Sequence, residues 1–135
     1  MHRSQLAGII IDCEGDDLDA AAHFWEQALG YSQKPLTDPE DARYRGLDTG
    51  ADQGYIEVQS VEHPSRVHID IETDDIEAEV RRLEALGAKR IEQIRSWWVM
   101  EAPTGHRFCV VRAGRENFEE TANAWSSGTP RSGET

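Results

Sequence analysis

The first apolar run covers residues 6–13. It is rich in isoleucine and reads as a buried strand. Glu14, Gly15, Asp16 and Asp17 break it with acids and a glycine. Asp16 or Asp17 fits a helix N-cap, where a carboxylate meets orphan N–H groups and the positive end of the helix dipole. Leu18, Ala22, Trp25 and Leu29 then recur at helical spacing, and Gly30 is a stop. Residues 31–55 are the least regular. Turn-rich stretches at 37–41 and 48–54 flank a short strand over 43–47. Residues 55–61 form a better strand, because Ile56 and Val58 alternate with Glu57 and Gln59. His63, Pro64 and Ser65 form a link.

Residues 67–72 alternate cleanly, Val67, Ile69 and Ile71 against His68, Asp70 and Glu72. A helix is expected over 75–86, with Ile76, Val80 and Leu83 on its buried face. Strands are expected over 91–94, 97–101 and 107–113, with a turn at 102–106. In the last strand Phe108 and Val110 face away from Arg107, Cys109 and Val111. A terminal amphipathic helix is expected over 116–125 through Phe118, Ala122 and Trp125. Residues 126–135 are small and polar and read as a flexible tail.

The strand-helix pattern occurs twice. At an offset of 58 positions, Ile11/Ile69, Asp12/Asp70, Glu14/Glu72, Asp16/Asp74, Asp17/Asp75 and Ala20/Ala78 are identical. Leu18/Ile76 and Asp19/Glu77 are conservative pairs. Ala28-Leu29-Gly30 matches Ala85-Leu86-Gly87 at an offset of 57. A chain built twice from one unit tends to fold as two packed halves with a site between them. The copies differ at one chemically important place: His68 in the second is Ile10 in the first.

Composition narrows the partners. A chain of 135 residues, 38% hydrophobic, suits one domain with a modest core. A formal charge of −12 argues against nucleic acid or an anionic membrane as partners and is compatible with a cationic ligand. Cys13 and Cys109 both lie in apolar strands, which suits buried thiols in a reducing compartment. The start, Met1 to Leu6, is polar and does not read as a signal peptide. No apolar run approaches the ~18 residues of a membrane span. A cytoplasmic protein is the expectation. The acidic clusters at residues 14–17 and 74–75 lack the spacing of a calcium loop and fit helix caps better.

The paired units, together with Phe24-Trp25-Glu26-Gln27-Ala28-Leu29-Gly30, Val67-His68-Ile69-Asp70 and Pro103-Thr104-Gly105-His106-Arg107-Phe108-Cys109-Val110-Val111, resemble the glyoxalase-like branch of the vicinal oxygen chelate superfamily. That superfamily also holds bleomycin and fosfomycin resistance proteins and extradiol dioxygenases. The resemblance covers residues 6–125. It implies an α+β domain of two paired βαβββ modules, 6–61 and 67–113, whose sheets form a half-open barrel-like trough with helices on the outer faces. In metal-dependent members the first and last strands of each module carry ligands. Those places here are Ile10, Glu57 or Gln59, His68 and Cys109; Glu57 and Gln59 share one parity, so either fits. The implied metal is divalent, Zn, Ni, Mn or Fe, on His68 and Glu57, with Ile10 replacing a usual ligand. A further set of His68, Glu57 and Cys109 would make an open zinc site.

The resemblance implies two functions. One is lyase or isomerase chemistry beside a carbonyl, with Glu57 as base and His68 as metal ligand or electrophile. The other is non-catalytic sequestration of a drug-like molecule, as in bleomycin resistance proteins, which the hydrocarbon at Ile10 favours. Arg107 suits gripping a ligand carboxylate or phosphate, although an internal ion pair is the commoner role for an arginine. Gln59 and Cys109 share the trough-facing parity. Trp97 and Trp98 point to opposite faces, so either Trp97 with Val99 or Trp98 with Met100 walls the ligand. Trp25 reads as core, Trp125 as a packing anchor or interface residue, and His23, His63 and His106 as incidental. The expected assembly is a homodimer, with a small molecule as ligand.

Overall fold

A computed structural model describes residues 1–35, 42–50 and 53–126. The turn expected over 37–41, part of that over 48–54 and nearly all of the 126–135 tail lie outside these residues. Two compact units divide the chain: Gly8–His68, and Met1–Ala7 with Ile69–Thr135. Strands β1 (His2–Glu14) and β4 (Arg66–Thr73) each contribute residues to both.

In the unit Gly8–His68, β1 pairs in parallel with β3 (Tyr55–Val61), which pairs antiparallel with β2 (Tyr44–Leu47). Helix α1 (Leu18–Leu29) starts at Asp17, whose carboxylate accepts from the Ala20 N–H at 3.1 Å, and ends at Gly30 with a left-handed φ of 77°. That conformation favours glycine. Leu18 of α1 packs on Leu47 and Val58, with Cys13, Ala21, Trp25, Tyr31 and Ile56 around them. Trp25 is thus a core residue, as its place on the helix face implies. Gly8 permits the close β1–β3 approach: a Cβ there would stand 2.3 Å from the Tyr55 carbonyl oxygen. Between α1 and β2, an isolated Gln33–Leu47 bridge takes the place of a third full strand.

The other unit holds a complete βαβββ module. Strand β4 pairs in parallel with β7 (Arg107–Arg112), followed antiparallel by β6 (Trp97–Glu101) and β5 (Lys89–Ile94). Helix α2 (Ile76–Ala85) is capped by Asp75, which accepts from the Ala78 N–H. Its Val80 and Leu83 bury against Met100, Phe108 and Val110. The acids at both helix starts are therefore caps, as expected. The chain is α+β, and two strand-helix modules are present, as the repeat implies. Among the described residues no helix is long and apolar enough to cross a membrane.

The terminal helix is a correction. Only Phe118–Thr121 is helical (α3), and Asn123–Trp125 forms a strand, β8, antiparallel to residues 2–4 of β1. Asn117 makes no side-chain cap, and Ala122 turns extended at ψ 147°. The extended course lets the Trp125 indole donate to Ser4 Oγ at 2.8 Å and lie under the Arg82 guanidinium at 3.8 Å. Pairing with β8 also explains why β1 begins at His2, well before the apolar run.

Candidate functional site

Strand register decides which side chains share a face. In the first unit Ile10 stands opposite Glu57 and Asp12 opposite Gln59 on β1 and β3; Glu57 is opposite Gly46 and Gln59 opposite Tyr44 on β3 and β2. Ile9, Ile11, Ile56 and Val58 alternate to the other side, where Val58 and Ile56 meet α1. The face opposite α1 therefore carries a row of Ile10, Asp12, Glu57, Gln59 and Tyr44. Gln59 Nε2 donates to the Tyr44 hydroxyl at 3.1 Å. Glu57 and Gln59 are half-buried, whereas Ile10 is fully buried.

His68 joins this row through Asp12. Its Nδ1 lies 2.7 Å from Asp12 Oδ2, with the two side chains 13% and 1% exposed. Arg66 Nε is 3.7 Å from the same oxygen, while Asp12 Oδ1 is buried with no hydrogen-bond partner among the described residues. A buried carboxylate with half its hydrogen-bonding capacity unused is uncommon in native proteins. Asp12, Arg66 and Tyr44 were not singled out from the sequence. The available signal was the repeat: Asp12 is an identity between the copies and shares the parity of Ile10, two residues earlier.

In the second unit Trp98 and Met100 turn toward α2, Met100 fully buried in that core, so Trp97 and Val99 take the opposite face. Arg90 stands over Trp98 and Arg95 over Trp97. On the face shared with Val99 and Trp97, Cys109 stands opposite Val99 and also opposite Asp70, and Arg107 opposite Glu101. Arg107 Nε is 3.3 Å from a Glu101 carboxylate oxygen, the internal ion pair that was one of its two readings. Both cysteines are half-buried, and neither is in a disulfide. Burial pushes the Cys13 thiol up, the Asp12 charge adds to this, and a Trp25 contact opposes it. A thiol kept protonated is a poor nucleophile. His23 lies 4.0 Å from Glu26, while His63 donates to the Pro64 carbonyl and His106 bonds Thr104, all local contacts.

A divalent metal needs nitrogen, oxygen or sulfur donors. Of the four places the resemblance implies, Ile10 offers buried hydrocarbon. Glu57 faces it directly, and His68 has Nδ1 committed to Asp12. Within Gly8–His68 the donors at those places are one carboxylate and one imidazole.

Similar folds occur in solved structures. The Mn(II)-bound glyoxalase from Novosphingobium aromaticivorans matches at 18% identity and a TM-score of 0.57 over 82% of this chain; the chain spans only 39% of that longer protein. A variant methylmalonyl-CoA epimerase from Streptomyces coelicolor, in complex with 2-nitronate-propionyl-CoA, matches at 17% identity and a TM-score of 0.52, covering 83% of this chain and 96% of that one. The Mycobacterium tuberculosis methylmalonyl-CoA epimerase matches at 15% identity and 0.51, over 81% and 90%. At these identities the likeness is one of fold. No curated protein sequence matches the chain. The glyoxalase-like domain family model matches residues 8–111, so the chain belongs to that family, within the vicinal oxygen chelate superfamily.

Proposed function

We propose that the protein binds a small carbonyl-containing organic molecule at the face carrying Glu57, Gln59, Asp12 and His68, and moves a proton beside that carbonyl, as a lyase or isomerase does. Glu57 is the base and His68 the second polar group on the reacting molecule. Gln59 is a proposed binding residue on that face; within the other unit Trp97 and Cys109 lie on the sheet face away from α2, whereas Trp98 and Met100 pack under that helix. The observation that carries the reading is the half-buried polar row opposite α1, ending in a histidine hydrogen-bonded to a buried acid. Polar side chains lining an otherwise apolar sheet face are unnecessary for folding and suit a ligand. Two neighbouring folds support the substrate class, since methylmalonyl-CoA epimerase structures hold methylmalonyl-CoA or 2-nitronate-propionyl-CoA.

A second reading is sequestration without chemistry, favoured by the buried hydrocarbon of Ile10 where metal-dependent relatives carry a ligand. A thermal-shift screen against methylmalonyl-CoA, α-keto thiol adducts, cationic drugs and divalent metals separates the two. A true ligand raises the melting temperature by mass action. Turnover of the stabilising compound, lost on Glu57→Gln, supports the enzyme; stabilisation by cationic drugs without turnover supports sequestration. Silence across the screen sinks both. Homodimerisation belongs to the same proposal, and a monomer by light scattering at micromolar concentration counts against it.

A further inference from the structure

We propose that Arg66 is a specificity-determining residue: it grips an oxyanion group, a carboxylate or phosphate, on the carbonyl compound bound at the polar row. The inference rests on the proposed site and names its substrate class. Arg66 and His68 are two residues apart on β4, so their side chains share a face. Both turn to one oxygen of Asp12, His68 Nδ1 at 2.7 Å and Arg66 Nε at 3.7 Å. The longer distance is an ion pair without a hydrogen bond. A guanidinium is a planar fork of five N–H donors, and among the described residues none of those of Arg66 is engaged in a hydrogen bond. The two other arginines of Gly8–His68 differ. Arg45 donates to Asp19 at 2.9 Å and to the Ala42 and Tyr44 carbonyls. Arg43 lies 3.9 Å from Glu62, with both side chains exposed, so its pair is not with the row. Arg107, which the sequence offered for this role, is paired with Glu101.

Exposure decides which charge a ligand meets at this end of the row. The Asp12 side chain is 1% exposed, His68 13% and Arg66 46%. The acid is an internal counter-ion beyond a ligand's reach, and the accessible charge of the trio is the guanidinium. The formal charge of −12 suits a cationic ligand at a distance. Exposed charges more than about 8 Å apart are largely screened at physiological salt, however, so the nearest cation governs. An ammonium arriving here meets a like charge. A carboxylate or phosphate meets parallel N–H donors spaced for two of its oxygens. The position is also held in advance. Ser65 Oγ accepts from the Glu14 N–H at 3.0 Å, which pins the residue before Arg66 to the end of β1. The Asp12 charge attracts the Nε edge of the fork and leaves the terminal nitrogens for the ligand.

The test compares four small carbonyl probes on the full chain by titration calorimetry: pyruvate, its uncharged methyl ester, dihydroxyacetone phosphate and the cationic aminoacetone. At least one of the two anions should bind about tenfold more tightly than the ester, the low end for hydrogen bonds to a charged group because Arg66 is half-exposed, with aminoacetone weakest. The tighter anion shows whether the fork takes a carboxylate or a phosphate. Arg66→Gln should bring that anion down to the level of the ester. Arg66→Lys, charged but without the fork, should fall between, and Arg43→Gln should match wild type. An ester or amine that binds as tightly as the anions, an anion preference that survives Arg66→Gln, or no binding of either anion overturns the proposal. If Arg66→Gln does not fold, the order of the probes on wild type and Arg66→Lys decides. Turnover is read separately, as exchange of the protons beside the carbonyl with D2O. An anion preference that depends on Arg66, without exchange, retires the proton transfer and leaves Arg66 in its role. Exchange of the ester as fast as of the acid, lost on Glu57→Gln, retires Arg66 and leaves the proton transfer.

Discussion

Each unit contains a polar cluster built around a buried acid, and the two are completed differently. Glu79 on α2 is fully buried, and both its oxygens are taken: Arg82 donates from Nε at 2.9 Å and from its terminal nitrogen at 2.7 Å, and His2 lies 2.8 Å away. Arg82 is capped in turn by the Trp125 ring, and that indole by Ser4. Asp12 is equally buried, yet one oxygen holds His68 and the other has no hydrogen bond among the described residues, while its cation, Arg66, is half-exposed and at arm's length. The first cluster ties residue 2, α2 and β8 into one unit and has nothing to offer a ligand. The second leaves acceptor capacity and a partly exposed ring. Saturation is what a structural network requires; an unsaturated buried acid marks a place where folding alone does not account for the residues.

The sharpest way to break this contrast is Glu79→Ala. It strands Arg82 and His2 in a dry site, so unfolding in urea should show a loss of about 3–5 kcal/mol. A loss below about 1 kcal/mol, within the range of a surface pair, would mean the network is not structural. The same residue sets a pH response. Burial by itself pushes the Glu79 carboxyl up, but hydrogen bonds from Arg82, His2 and Ser4 outweigh it and hold the group below its ordinary value of 4.5. A carboxyl depressed in the native state binds fewer protons there than when unfolded. Its contribution is complete above 4.5 and is lost as pH falls below that value through the native one. Urea midpoints measured across that acid range should fall more steeply in wild type than in Glu79→Gln.

Trp125→Ala comes next, at about 3 kcal/mol, the low end for a buried tryptophan, because its ring covers Arg82 at the edge of the unit. Trp125→Phe keeps the apolar body and loses the bond to Ser4, for about 1 kcal/mol. Equal losses for the two variants would show that the hydrogen bond, and not the packing, anchors β8.

Much of the fold was legible because periodicity reports burial. Strands β3 and β6 have the bounds their alternation predicts, and α1 and α2 begin after the expected acids. Legibility failed at the chain ends. Residues 123–125 carry no strand signal of their own; they are extended because Ser4 and Arg82, some 120 and 40 residues away, satisfy Trp125. His2 escaped notice for the same reason, since one buried imidazole in a polar hexapeptide has no period. At the site, parity alone put Glu57, Gln59 and His68 among the candidates, and the repeat pointed to His68. Asp12 was visible as a repeated acid, but its grip on His68 depends on strand placement that no spacing encodes. The choice between Trp97 and Trp98 likewise waited on the β6–β7 register.

The smallest expected effect tests the comparison most closely. Asp12→Ala removes an acid as buried as Glu79, so burial alone would predict an equal loss of stability. The hydrogen bonds predict otherwise. One Asp12 oxygen makes no hydrogen bond among the described residues, so the folded state already carries a desolvation penalty that the substitution relieves. The groups left behind are less demanding too: His68 is 13% exposed and Arg66 46%, so water can reach both, unlike Arg82 and His2. The loss on unfolding should therefore be about 1 kcal/mol, the worth of one net hydrogen bond. A loss matching that of Glu79→Ala would make Asp12 a structural acid like its counterpart, and the distinction between a saturated and an unsaturated cluster would no longer separate fold from function in this chain.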